Sequence, residues 1–137
     1  MNRHDFRRLA LLRLKEARSL LKGGHYSGAY YVGGYVVECA LKACIARLTK
    51  RHDFPDKKTV NDSYTHSLTK LVETAGLRRQ LDSECKNDPQ FDSSWATVQG
   101  WSEESRYGHA DQVKAEAFLR SITDSRHGVL RWLRRYW

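Results

Sequence analysis

The stretch from Gly28 to Ala46, GAYYVGGYVVECALKACIA, constrains the fold of this 137-residue chain more than any other. It carries only two charged residues, Glu38 and Lys42, whose spacing of four places both on one face of a helix. The rest is apolar or small nearly all round, as in a helix buried against several neighbours. A membrane span would need about 18 to 20 nearly uncharged residues, so we predict the central helix of a soluble bundle.

Glu38 and Lys42 have two interpretations. Four residues apart with the acid first, they suit an intrahelical ion pair worth a few tenths of a kcal/mol. Charged side chains inside a core helix are costly unless they pair, so they also suit a functional polar patch. The sequence leaves both interpretations open.

The flanking patterns predict an antiparallel helical hairpin. Asp5 is a suitable N-cap for a first helix that ends at about Lys22, where two glycines follow. Ser27 is a suitable N-cap for the central helix, which continues to about Lys50. Pro55 and the polar residues after it predict a loop.

The second half of the chain predicts further helices and no strand. A shorter helix is expected from Thr65, and Asp92 or Ser93 is a suitable N-cap for another that carries tryptophans. Asp111 is a suitable N-cap for a long last helix that reaches Trp137, with Gly128 as a kink or close-packing point. The predicted fold class is therefore all-α, in one domain over residues 1–137.

The charge balance favours a polyanionic partner. Lys and Arg number 24 against 16 Asp and Glu, for a formal net charge of +8. Nucleic acid is the obvious candidate, although a solvated basic surface would give the same number.

The cysteines and the start of the chain indicate where the protein resides. The three cysteines show no CxxC spacing, and Cys39 and Cys44 fall in the central helix, where thiols act as small hydrophobes. The first residues lack the apolar core and cleavage site of a signal peptide. We expect a cytoplasmic protein.

Several segments together resemble the HEPN domain, a helical family of higher eukaryotes and prokaryotes that binds nucleotides. They are EARSLLKGGHYSGAYYVGGYVVECALKACI, then THSLTKLVETAGL, with its HxL at His66 to Leu68, and then SWATVQGWSEESRYG ahead of the last helix. The resemblance implies an antiparallel bundle of four to five main helices, commonly a homodimer with its polar site near the interface. It implies no metal and no cofactor.

The family divides into two branches, and the resemblance allows either. One branch contains metal-independent ribonucleases, often toxins or defence effectors, some paired with a nucleotidyltransferase. The other contains noncatalytic relatives that bind nucleotides, RNA or protein. We expect an RNA- or nucleotide-engaging protein, with endoribonuclease activity as its catalytic form; the alternative is a protein-interaction module, for example one that pairs with a nucleotidyltransferase.

The ribonuclease branch is marked by an arginine followed, after four to six residues, by a histidine. Such a histidine can move the proton of a ribose hydroxyl while the arginine stabilises charge on the phosphate. That spacing occurs here between Arg47 and His52, and also at two pairs that look like helix-face charges with turn residues, Arg18 with His25 and Arg120 with His127. Matches of this kind arise by chance in a chain so rich in arginine.

Position in the chain therefore selects the candidate catalytic residues. In relatives with the motif it lies around the connection into the last long helix, here SEESRYGHADQ. We predict that Arg106 holds phosphate, that His109 shuttles the proton and that Tyr107 orients one of them or the substrate. Only two residues separate Arg106 from His109, which departs from the ribonuclease pattern, and Arg106 could instead pair with nearby glutamates while Tyr107 packs on the bundle.

A second set of candidates lies on and after the central helix. Arg47, Arg51 and His52 suit RNA or nucleotide binding at the helix end, although a cationic helix end is also favoured by the helix dipole. Glu38 and Lys42 are included as the polar patch. For His66 we expect a capping or core-satisfying role.

Overall fold

The computed structural model describes residues 1–49 and 56–137, and within these ranges the chain forms eight α-helices and one 3-10 helix, with no strand. The helices are α1 (Arg3–Lys22), α2 (Tyr26–Leu48), α3 (Lys57–Asp62), α4 (Leu68–Thr74), α5 (Arg78–Asn87), α6 (Pro89–Gln99), the 3-10 helix (Glu103–Tyr107), α7 (Gln112–Thr123) and α8 (Val129–Leu133). Five of the α-helices have ten residues or more, α1, α2, α5, α6 and α7. The expected all-α bundle of four to five main helices is confirmed.

Helices α1 and α2 form the predicted hairpin, but the N-cap of each is not the predicted residue. Gly24 turns the chain at φ +81°, a conformation that favours glycine. Asn2 is the N-cap of α1, and Asp5 completes its capping box by accepting from the Asn2 backbone N–H, so the predicted cap lay three residues too late. Ser27 does not cap α2, which begins at Tyr26; its hydroxyl accepts from the backbone N–H of Ala110 at 3.0 Å.

The centre of α2 is buried, and its two adjacent glycines allow close approach. A Cβ atom on Gly33 would lie 2.9 Å from Cδ2 of Leu119 in α7. A Cβ atom on Gly34 would overlap the Trp101 indole, which covers this glycine and is itself buried. Both glycines therefore allow close packing on α2, and Trp101 fixes the chain between α6 and the 3-10 helix onto this helix.

Two short elements differ from the sequence prediction. The region after Pro55, predicted as a loop, contains α3, because Asp56 caps it by accepting from the backbone N–H of Thr59 at 2.8 Å. Helix α4 begins at Leu68 with Ser67 as its N-cap, a few residues later than expected.

The start of α6 and the last predicted helix also differ from the sequence prediction. The N-cap of α6 is Asp88, with Pro89 as the first helical residue, and not Asp92 or Ser93. The predicted long last helix ends at Thr123, because the Asp124 carboxylate accepts the backbone N–H of Arg126 and of His127 and turns the chain. Gly128, expected as a kink or close-packing point, is the N-cap of the separate helix α8, and a Cβ atom there would lie 2.5 Å from the carbonyl oxygen of Asp124.

The cysteines behave as the sequence predicted. All three are free, and Cys39 and Cys44 are buried. Burial raises the pKa of the Cys39 thiol to about 11 and that of Cys44 to about 12. Among the described residues, no helix has the length and apolarity needed to cross a membrane.

Candidate functional site

One face of α2 is polar although the helix is otherwise apolar. Tyr31, Tyr35, Glu38 and Lys42 recur every three or four residues and so share this face. The hydroxyls of Tyr31 and Tyr35 lie 3.1 Å apart, and Lys42 Nζ lies 3.6 Å from Glu38 Oε2. The sequence-predicted ion pair is present, and it belongs to a larger polar surface.

Glu38 is the only buried charged or polar side chain among the described residues, with 6% of its side chain exposed. Its second oxygen, Oε1, lies 2.6 Å from Nδ1 of His66, which stands just before the N-cap of α4. A buried carboxylate is destabilising unless it is paired, and here it has two partners. His66 is thus a member of the site, and its role of satisfying a core group agrees with the expectation from the sequence.

His66 also connects α2 to the 3-10 helix. Its other ring nitrogen, Nε2, lies 3.2 Å from Oε2 of Glu103, the first residue of that helix. A neutral imidazole has one N–H donor, and carboxylates only accept, so both contacts are hydrogen bonds together only when a further proton is present. His66 thus lies between two carboxylates, Glu38 on α2 and Glu103 on the 3-10 helix.

Aromatic rings enclose this arrangement. The ring of Tyr35 meets that of His66 edge-on at 6.1 Å and that of Trp101 at 5.1 Å between centroids. Burial raises the pKa of Tyr35, and the hydrogen bond with Tyr31 raises it further. Tyr35 therefore serves as a neutral hydrogen-bonding group.

Arg106 and Tyr107 lie at the other end of the 3-10 helix and are exposed, with 79% of Tyr107 accessible. The guanidinium carbon of Arg106 lies 4.6 Å from the centre of the Tyr107 ring, in a cation–π arrangement. The pKa of Arg106 is raised, chiefly by the charge interaction with Tyr107. Among the described residues, no carboxylate forms an ion pair with Arg106, because Glu103 is turned to His66.

His109 lines a neighbouring cavity of about 270 Å³ between the 3-10 helix, α2 and α7. Lys114 also lines this cavity, and its Nζ lies 4.7 Å above the Tyr30 ring. The lining residues are Ser27, Tyr30, Gly100, Ser102, Glu104, Ser105, Gly108, His109, Ala110 and Lys114. Arg106 and Tyr107 are not among them, so the three predicted catalytic residues share one short segment but have different neighbours.

The second set of sequence candidates is divided. Glu38 and Lys42 belong to the polar face of α2. Arg47 lies in the last turn of α2, nine residues beyond Glu38 or roughly 13 Å along the axis, and its Nη1 donates to the carbonyl of Arg135 at 3.4 Å. Arg51 and His52 lie outside the described residues.

A different histidine–carboxylate pair joins α6 to the turn before α8. His127 Nδ1 lies 2.7 Å from Oδ2 of Asp88, whose other oxygen caps α6 by accepting from Gln90 and Phe91. This pair explains the place of His127, which the sequence analysis left out of the site. Within residues 1–49 and 56–137, no three His, Cys, Asp or Glu side chains are arranged to hold a metal ion.

The described residues form an all-helical domain. The polar face of its central helix is linked through His66 to a short 3-10 helix. A model of the HEPN domain matches residues 4–136, nearly the whole chain, and the protein belongs to the HEPN domain family. No curated protein and no solved structure matches the chain. Membership supports a nucleotide- or RNA-related role in general.

Proposed function

We propose that the protein binds RNA or a nucleotide at the surface of the 3-10 helix and the adjoining cavity. The observation that supports this most is the exposed Arg106–Tyr107 pair, a guanidinium that forms no ion pair with a described carboxylate and that stands against an exposed aromatic ring. Arginine binds phosphate and tyrosine stacks on unpaired bases, and the two together suit single-stranded RNA. Lys114 and His109 add cationic or proton-bearing groups in the adjoining cavity.

Metal-independent cleavage is the catalytic form of this proposal. Arg106 would stabilise charge on the phosphate, and His109 would transfer a proton of the ribose hydroxyl or of the leaving oxygen. Because these residues line different surfaces, a substrate would have to extend from the Arg106–Tyr107 pair into the cavity that His109 lines. A homodimer, as the family resemblance implies, would present two copies of this surface.

The test measures binding and cleavage of a mixed tRNA and single-stranded RNA pool without metal, across a range of salt. Arg106→Ala should weaken binding several-fold and reduce the dependence of affinity on salt by the equivalent of about one phosphate contact. The control is Arg79→Ala, which removes an exposed arginine of α5. Equal binding by the two variants would contradict the proposal.

Cleavage is read from the same samples. Products with cyclic-phosphate ends that disappear in both Arg106→Ala and His109→Ala would support the endoribonuclease form. Binding without cleavage would favour the noncatalytic branch. The alternative function, a protein-interaction module, is favoured by an apolar side chain exposed on α1, Leu11; a salt-tolerant complex with a protein such as a nucleotidyltransferase would support it.

A further inference from the structure

A groove runs between α1 and the α7–α8 region, on residues separate from the 3-10 surface. It consists of two adjoining depressions of about 420 and 370 Å³ that share Arg18 and Thr123. The apolar residues that line it are Leu11, Leu14 and Leu21 from α1 and Leu119, Ile122 and Leu130 from the opposite side.

One side of this groove is a continuous face of α1, formed by Leu11, Leu14, Arg18 and Leu21. Residues 11, 14, 18 and 21 of α1 follow the three- and four-residue spacing of one face. On this face Leu14 is buried, whereas Leu11 is 42% exposed and Arg18 is exposed as well. An exposed leucine and an exposed arginine on one helix face offer a second helix both an apolar and a charged contact.

Arginines surround the apolar floor. Arg18, Arg120, Arg131 and Arg134 line the groove, and only Arg131 has a carboxylate partner among the described residues, Glu84 at 3.5 Å. The two acidic residues of the lining are already engaged. Asp124 accepts backbone N–H groups in its own turn, and Glu116 accepts from the side chain of Gln112 at 2.8 Å.

We infer that this groove binds an acidic amphipathic helix of a protein partner. Apolar residues three and four apart would enter the floor, and Asp or Glu on both flanks would face Arg18, Arg120 and Arg134. From Leu11 to Leu21 the floor extends roughly 15 Å, about three helical turns.

Two other occupants fit less well. A second copy of this chain would bring a protein of net charge +8 and its arginine-rich α1 against the same arginines. RNA would satisfy the arginines but would leave the leucine floor without an apolar partner. The inference does not depend on RNA binding at the 3-10 helix, since the two surfaces have no residue in common.

The test uses a fluorescent helical peptide of about 18 residues, with leucines on one face and glutamates on both flanks, long enough to span the floor. The full chain should bind it saturably, and the same peptide with lysine in place of glutamate should not bind. Leu11→Asp should weaken binding by about tenfold or more, as expected when the exposed apolar contact of the groove is lost. The matched control is Leu12→Asp, because Leu12 is 49% exposed and does not line the groove.

A second pair of variants keeps the test decisive if Leu11→Asp fails to fold. Arg18→Glu should weaken binding of the acidic peptide, whereas Lys15→Glu, exposed on α1 outside the groove, should change it less than about twofold. No saturable binding, or equal losses for groove and control variants, overturns the inference. Loss of RNA binding in Leu11→Asp and Arg18→Glu, with Arg106→Ala unaffected, would assign the groove to nucleic acid instead.

Discussion

Two histidine–carboxylate pairs of nearly equal length serve different purposes in this molecule. His66 lies 2.6 Å from Glu38, and His127 lies 2.7 Å from Asp88. Asp88 also caps α6, and the backbone N–H of His127 binds Asp124, so that pair joins chain turns. Glu38 is buried in mid-helix with Lys42 and His66 as its partners, and the other nitrogen of His66 reaches the exposed 3-10 helix.

The difference shows that the surroundings of a pair indicate its role better than its length does. A carboxylate at a helix N-terminus stabilises that helix wherever it occurs. A carboxylate buried in the middle of a core helix has no such local benefit and is retained for what it connects. Here it connects the central helix to the segment that carries Arg106.

The largest effect is expected from Gly34→Ala. This substitution should disrupt the Glu38–His66 pair and leave the Asp88–His127 pair intact. The new methyl group would displace Trp101 and with it the 3-10 helix, and overpacking of this kind costs about 3 kcal/mol in the free energy of unfolding. Urea unfolding measures it. Gly100→Ala is the control, because the nearest atom to its added Cβ is 3.9 Å away, and its effect should stay below about 0.5 kcal/mol. Similar losses for both glycines would mean that Trp101 packing does not hold the segment.

Glu38→Gln and Asp88→Asn compare the two pairs directly. Glu38→Gln removes the charge that His66 and Lys42 face and should lower the free energy of unfolding by roughly 1 to 2 kcal/mol. Under the proposed function it should also weaken RNA binding about threefold to tenfold, because the 3-10 helix loses its link to α2. Asp88→Asn should leave RNA binding within about twofold, since its pair lies elsewhere. Fluorescence anisotropy measures binding, and equal effects would remove the functional distinction between the pairs.

A pH series tests the structural role of the second pair. The hydrogen bond from His127, with help from the backbone N–H groups of Phe91 and Gln90, lowers the pKa of Asp88. Because the pKa of Asp88 is lower in the folded state, its carboxylate stabilises the fold at pH values above the unfolded-state pKa of about 3.9. This stabilisation is lost as the pH falls through the folded-state pKa. Wild type should therefore exceed Asp88→Asn in urea midpoint at neutral pH, and the two should converge in acid. A difference that is independent of pH would show that the charge of Asp88 does not matter.

The smallest effect is expected from Lys42→Met. If His66 is the main partner of Glu38, loss of the 3.6 Å contact from Lys42 should cost only about 0.5 kcal/mol in the free energy of unfolding. Lys58→Met is the matched control, because Lys58 and Asp62 form an exposed pair with the same spacing at 3.5 Å. The control should change the free energy of unfolding by less than about 0.3 kcal/mol. A cost for Lys42→Met well above 1 kcal/mol would make lysine, and not histidine, the main partner.

The sequence predicted what depends on neighbours along the chain. The apolar run of α2 and the Glu38–Lys42 spacing are local patterns, and both appear in the structure as expected. The cap of α6 was predicted wrongly although its signal was present, since an aspartate before a proline marks a helix start. Asp92 and Ser93 competed with it as equally good caps.

The connections between distant residues had no local signal. Glu38 and His66 are 28 residues apart, and nothing in the periodicity of either segment predicts that they meet. The break of the last helix was missed because Asp124, Arg126 and His127 fit a helical pattern, while the turn depends on one carboxylate that accepts two backbone groups. The turn of Glu103 toward His66, which leaves Arg106 without a carboxylate, likewise depends on the tertiary fold.

The attachment of the 3-10 segment at both ends has an evolutionary consequence. Trp101 holds one end on Gly34, and the backbone of Ala110 holds the other on Ser27, two turns away on the same helix. The residues between these attachments are mostly exposed, so insertions, deletions and exchanges there leave the bundle core untouched. Substitutions at residues 104–109 can therefore change ligand preference while the packing of the bundle core and the His66–Glu103 contact are kept.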